Sequence, residues 1–122
     1  MQEQRAFERF PIALQAEYCI DDGPGAACRL VDISEKGTCI ACAADDRLVP
    51  DARLELLIRF PVQKKPIPAA FAVKWVRPKE QDEEGFSQLA GGALLFSSRR
   101  YKALVKEYVV KLYASLHRLQ MK

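Results

Sequence analysis

The chain has 122 residues, of which 49% are hydrophobic and 29% charged, and its formal net charge is +3. This length and composition fit one globular domain that can bury a core without disulfide or metal staples. They exclude collagen-like, disordered and small disulfide-scaffold proteins, and no apolar run approaches the roughly 18 residues that a membrane-spanning helix needs. Because the N-terminus lacks the apolar segment of a secretory signal, we expect a cytoplasmic protein without membrane association.

Alternating apolar and polar residues predict six short strands before residue 98. The predicted strands cover residues 13–20, 27–33, 38–43, 53–60, 66–77 and 92–97. On the fifth of them, Phe71, Val73 and Trp75 are expected to share one face. Turn sequences rich in Gly, Asp and Ser separate the early strands, with glycine expected at the positions of positive φ. No segment between the strands has the pattern of a crossover helix, so the sheet is predicted to be antiparallel and to protect its edges by closing into a barrel.

After residue 97 the apolar period changes from 2 to 3.6, which predicts one amphipathic helix with Ser97 or Ser98 as its N-cap. Its apolar stripe consists of Tyr101, Leu104, Val105, Tyr108, Val109, Leu112, Tyr113, Leu116 and Leu119. We therefore predict a mainly β fold in a single domain. A flexible N-terminal arm (residues 1–12) precedes a six-stranded antiparallel barrel (residues 13–97), and the helix (residues 98–120) follows it.

The charge is unevenly distributed along the chain. Residues 99–122 carry seven basic side chains and one acidic side chain, whereas the rest of the chain is mildly acidic. A basic helix face is usually only solvated, but it can also bind an anion, a nucleic acid or a protein. This leaves open a second kind of function, a small barrel that binds RNA or protein through Lys102, Lys106 and Lys111.

The sequence contains four cysteines, namely Cys19, Cys28, Cys39 and Cys42. The last two have the CxxC spacing of zinc and redox sites. However, there is no second CxxC, the one histidine (His117) is distant in sequence, and the surrounding residues are those of a strand rather than of a helix start. We therefore expect small buried thiols and no metal site, with zinc and redox roles as the alternatives.

No catalytic motif is present in the sequence. It has no nucleophile elbow, no P-loop and no dinucleotide-binding glycine pattern, and His117 lies in the helix between Leu116 and Arg118. We expect a protein that is not an enzyme and has no cofactor.

Two short motifs have the chemistry of an anion site. Arg5 and Arg9 form RxxxR in the arm, and Asp32, Ser34 and Gly37 form DxSxxG after the second strand. Arginine binds phosphate and the O6/N7 edge of guanine as a fork, and a carboxylate accepts hydrogen bonds from guanine N–H groups. The second motif is also good turn chemistry by itself, with glycine in the left-handed position. Together the motifs favour a guanine nucleotide that carries phosphates.

These motifs, in this order and with a six-stranded barrel and a final helix, resemble the PilZ domain, a bacterial receptor domain for cyclic di-GMP. The stretches 72–76 and 92–96 are similar to the family's tryptophan-bearing strand and to its last strand. The resemblance implies that Arg5 and Arg9 hold the phosphates and guanines of the ligand. It also implies that Asp32 and Ser34 bind a guanine edge and that Gly37 permits the turn.

The resemblance also gives Trp75 a place beside a base, although a lone tryptophan on a strand is more often a core residue. The family often has a further arginine where this chain has Gln4. The implied mechanism is a switch in which ligand binding fixes the arm and creates a surface for an unidentified protein effector. We expect no DNA binding, and a monomer or a weak homodimer.

Overall fold

The computed structural model describes residues 10–61 and 63–120, with side chains up to Ser115. It confirms the mainly β fold with one C-terminal helix. The elements are β1 (Phe10–Cys19), β2 (Ala26–Ile33), β3 (Gly37–Cys42), β4 (Arg53–Ile58), β5 (Ile67–Pro78), β6 (Gln88–Leu95) and α1 (Arg99–Gln120). Arg5 and Arg9 of the predicted arm lie outside the described residues.

The six strands form a closed antiparallel barrel in the order β1-β2-β3-β6-β5-β4. Each strand therefore has two hydrogen-bonded neighbours, and the barrel has no exposed sheet edge. The predicted alternation is confirmed on β4, where Leu54, Leu56 and Ile58 are at most 2% exposed. Each such side chain contributes about 1.5–3 kcal/mol on burial.

Helix α1 packs across the end of the barrel at which β1 begins and β6 ends. Ser98 is its N-cap, because the Ser98 hydroxyl oxygen accepts hydrogen bonds from the backbone N–H groups of Arg100 (3.1 Å) and Tyr101 (3.4 Å). Val105 and Val109 belong to the barrel core. Edge-to-face ring contacts join Tyr108 to Phe60 and Tyr113 to Phe10. Within the described residues, no helix is both long and apolar enough to cross a membrane.

Two strands begin three or more residues earlier than the sequence predicts. β1 begins at Phe10 rather than at residue 13, because Phe10 and Pro11 already pair with the end of β2. β6 covers Gln88–Leu95 rather than residues 92–97, since Gln88 pairs with both Cys42 and Pro78. The two central glycines of β6 have low strand propensity, and this concealed the strand in the sequence.

The turn after β1 does not use glycine as predicted. Asp21 and Asp22 have positive φ values of 51° and 58°, and the Gly23 N–H donates to the Ile20 carbonyl at 2.9 Å. These φ values and this hydrogen bond are those of a type I′ β-turn, whose left-handed positions Asp tolerates better than most residues do.

Three register shifts interrupt the barrel pairing, between Pro11 and Leu14, between Leu30 and Asp32, and between Val73 and Trp75. The last two reverse the direction of side chains. On β5, Val73 pairs with Gly92 whereas Trp75 pairs with Gly91, so two steps on β5 match one step on β6. Such a bulge changes the alternation. Val73 is 2% exposed and faces the core, but Trp75 is turned to the outside. The prediction that Trp75 shares a face with Phe71 and Val73 was therefore wrong.

The bulge brings β5 close to two adjacent glycines of β6. A Cβ atom on Gly92 would overlap the backbone carbonyl oxygen of Ala72, and a Cβ atom on Gly91 would overlap the Trp75 indole. The backbone of β5 cannot retreat from Gly92 without breaking the barrel pairing, whereas a side chain over Gly91 could move.

We expect Gly92→Ala to lower the free energy of unfolding by about 1–3 kcal/mol, because the added methyl group forces two strand backbones apart. Urea denaturation measures this value. Gly25→Ala is the matched control, since its Cβ would meet no atom closer than 3.9 Å and should leave stability unchanged or slightly higher. Equal stabilities of the two variants would contradict the close approach at Gly92.

Candidate functional site

Asp32 is placed on the outside of the barrel by the second register shift. Leu30 pairs with Ile40 and Asp32 with Cys39, so Val31 is the extra residue of a bulge in β2. Leu30 and Ile33 remain fully buried while the Asp32 side chain turns outward and stays half-buried. One carboxylate oxygen, Oδ1, accepts a hydrogen bond from the Cys39 N–H at 3.0 Å, which fixes the orientation of the group.

Ser34 and Gly37 form the tight turn between β2 and β3. The Ser34 hydroxyl oxygen accepts hydrogen bonds from the N–H groups of Gly37 (3.1 Å) and Lys36 (3.4 Å), and the hydroxyl can donate to the Gly37 carbonyl (3.3 Å). Ser34 is 4% exposed, so its hydroxyl is used within the turn. Thr38 reinforces the turn by donating from Oγ1 to the Asp32 carbonyl at 2.5 Å.

Gly37 does not have the left-handed conformation that the sequence predicted. It is the first residue of β3, and among the described glycines it is Gly85 that has a positive φ, +84°. The turn closes through the Ser34 hydrogen bonds and needs no left-handed glycine at this point.

Asp32 and Trp75 lie on one transverse row of the barrel exterior. The strand register runs from Asp32 to Cys39, from Cys39 to Gly91 and from Gly91 to Trp75. Three strand spacings of about 4.8 Å separate the two ends, about 14 Å in all. The row continues to Pro11 of β1, which pairs with Asp32. The chain therefore enters the barrel directly beside the carboxylate, and we call Asp32, Cys39, Gly91 and Trp75 the exterior row.

The Trp75 indole rests on the backbone of Gly91, where a side chain at that position would collide with it. The guanidinium carbon of Arg77 lies over the Trp75 ring, 4.4 Å from the ring centroid, in a cation–π contact. Neither Gly91 nor Arg77 was predicted as a site residue from the sequence. The sequence pattern places Trp75 and Arg77 on the outer face of β5 only when the bulge is known, because side chains two residues apart on a strand share a face.

The cysteines are arranged as buried strand residues. Cys39 and Cys42 are three positions apart on β3, so they point to opposite faces of the sheet and cannot act together as a CxxC site. Cys28 and Cys42 face each other across β2 and β3. Burial raises the pKa of Cys28 to about 12 and that of Cys42 to about 11, which keeps both as thiols at neutral pH. Among the described residues, no group of three or more His, Cys, Asp or Glu side chains is arranged to hold a metal ion.

In a comparison with protein families, the sequence profile of the PilZ domain matches residues 3–110. No curated protein sequence matches the chain significantly. Structural similarity extends to the PilZ domain of YcgR from Escherichia coli, solved with c-di-GMP. The TM-score is 0.71 and the identity 14%, and the alignment covers 98% of this chain and 99% of that one.

Two longer proteins have a similar fold. For the Bacillus subtilis inhibitor of motility, MotI/DgrA, the TM-score is 0.72 and the identity 13%, with 93% of this chain and 53% of that one covered. For the c-di-GMP complex of MrkH from K. pneumonia, the TM-score is 0.78 and the identity 17%, with 96% of this chain and 55% of that one covered. This chain therefore spans about half the length of these two relatives.

We expect Ser34→Ala to lower the free energy of unfolding by about 1–3 kcal/mol, since it leaves buried backbone groups of the β2–β3 turn without their partner. The exposed Ser97, changed to Ala, serves as the control and should alter stability by less than about 0.5 kcal/mol. Both values come from urea denaturation followed by circular dichroism. A Ser34→Ala protein as stable as the control would show that the hydroxyl is not needed by the turn.

Proposed function

The chain belongs to the PilZ domain family, and on this premise we propose that it is a receptor for cyclic di-GMP that signals to a protein partner and catalyses no reaction. The observation that carries the proposal is the exterior row. It combines a fixed carboxylate, a glycine and an aromatic ring within about 14 Å on one surface of the barrel.

In this proposal, Asp32 binds the Watson–Crick edge of a guanine. Ionised carboxylates offer about four lone-pair sites, so Asp32 can keep its hydrogen bond from the Cys39 amide while accepting from guanine N1–H and N2–H. The bulge in β2 makes this possible because it turns the Asp32 carboxylate to the outside of the barrel. Ser34 and Gly37 then act mainly by holding the turn that ends β2, rather than through a hydroxyl exposed to the ligand.

Arg5 and Arg9 supply the positive charge in this proposal. Arg9 is one peptide bond away from Phe10, and Phe10 pairs with Ile33 next to Asp32. Arginine forks bind phosphates in bidentate fashion and stack on bases, which suits a ligand with two phosphates and two guanines. An arm that becomes ordered on the ligand would pay an entropic cost, and in return it would present a new surface to a partner.

The similar structures support the ligand class but not the identity of the partner. The YcgR domain and MrkH were each solved with c-di-GMP, and MrkH is described as a transcription regulatory factor. We propose that this chain responds to the ligand without contacting DNA and that an unidentified protein partner receives the signal. We also propose that it acts in the cytoplasm as a monomer or weak homodimer.

We expect cyclic di-GMP to bind the purified protein saturably in a calorimetric titration, with a stoichiometry that reports one ligand or a stacked pair. Arg9→Ala and Asp32→Ala should each weaken binding at least tenfold, because they remove charge-assisted hydrogen bonds. Lys64→Ala, an exposed charge change on the β4–β5 loop, and GTP as ligand are the controls.

Absence of heat with cyclic di-GMP, repeated at a second temperature, would overturn the proposal. Binding of RNA that depends on Lys102, Lys106 and Lys111 and falls steeply with salt would support the basic-helix alternative instead.

A further inference from the structure

The geometry points to Arg77 as a further ligand-binding residue. We infer that its guanidinium group, held over Trp75 at the far end of the exterior row, stacks on a guanine base of the bound cyclic dinucleotide. This inference rests on the proposed function, and it assigns a role to a residue that belongs to neither motif.

The position of Arg77 is determined by the backbone. The bulge at Val73/Trp75 turns both Trp75 and Arg77 outward, and the glycine at position 91 lets the indole lie against the strand beneath it. The indole is therefore supported from below by β6, and the guanidinium lies over the ring at 4.4 Å from its centroid. A support of this kind restricts the side chain before ligand arrives, which lowers the entropic cost of binding.

A comparison with Arg29 shows that the charge of Arg77 is available to a ligand. Arg29 also lies over an aromatic ring, that of Phe86 at 5.5 Å, but it is neutralised by ion pairs with Asp82 and Glu84. Those contacts fasten the β5–β6 loop to β2. In the part of the chain that the structure describes, Arg77 makes its contact with the Trp75 ring and enters no ion pair, and it is exposed.

The chemistry of the guanidinium suits a guanine base with phosphates nearby. A guanidinium is a plane with two faces, so one face can rest on the indole while the other receives a base. Its N–H groups at the rim can donate to phosphate oxygens. Asp32 at one end of the exterior row and Arg77 over Trp75 at the other end would thus bind different parts of one ligand. A lysine at position 77 would keep the charge but lose the stacking plane.

The test measures cyclic di-GMP affinity for wild type, Arg77→Ala, Arg77→Lys and Arg53→Ala by calorimetry at one salt concentration. Arg53 is the matched control, because it is an exposed arginine on β4, which is separated from β6 by β5. We expect Arg77→Ala to raise Kd about tenfold, in line with the loss of one base-stacking contact. Arg77→Lys should raise Kd at least threefold, and Arg53→Ala should change it less than twofold. Unfolding curves without ligand should show all four proteins folded, with Arg77→Ala less stable by at most about 1 kcal/mol through loss of the cation–π contact.

Trp75 provides an independent readout because it is the one tryptophan of the chain. Its emission should change on titration of the wild type with cyclic di-GMP and should change by a different amount in Arg77→Ala. An Arg77→Ala Kd equal to that of Arg53→Ala, or an Arg77→Lys Kd equal to wild type, would overturn the stacking role while leaving the proposed function intact. If wild type fails to bind, both proposals fall.

Discussion

The close approach of β5 and β6 at Gly92 is the constraint on which the candidate site depends. Because no Cβ separates Gly92 from the Ala72 carbonyl, β5 can bulge at Val73/Trp75 and still close the barrel. The bulge moves Trp75 from the core face to the outer face. The neighbouring Gly91 then provides the flat surface on which the indole lies. A regular strand would have buried the tryptophan and left the barrel exterior without an aromatic ring at this point.

The second bulge has the same effect at the other end of the exterior row. In β2 the extra residue, Val31, lets Ile33 stay in the core while Asp32 faces outward. The turn that follows is closed by the Ser34 hydroxyl. In the DxSxxG motif, Ser34 and Gly37 therefore hold the turn, while Asp32 faces outward. A barrel without edges is a stable platform for such a site, since register shifts in three of its strand pairs do not open the sheet.

Much of the fold could be predicted from the sequence, but the arrangement of the site could not. Apolar and polar residues alternate strictly along β4, and this pattern predicted a half-buried strand of the barrel. After Ser98 the apolar period changes from 2 to 3.6, and this change predicted the helix. The bulge at Trp75 was not predicted because it results from a contact between β5 and β6, and neither strand has a local sequence pattern that indicates it. The start of β6 was missed for a related reason, since its glycines have low strand propensity alone and are needed only where β5 passes close to them.

The central claim is that the ligand binds on the exterior row. The most direct measurement is a ¹⁵N–¹H correlation spectrum of the labelled protein during titration with cyclic di-GMP. We expect the largest shifts at the backbone amides of Cys39 and Gly91 and at the Trp75 indole N–H, with small shifts at Lys102 and Lys106 of α1. Shifts concentrated on α1, with the signals of the exterior row unchanged, would contradict the account.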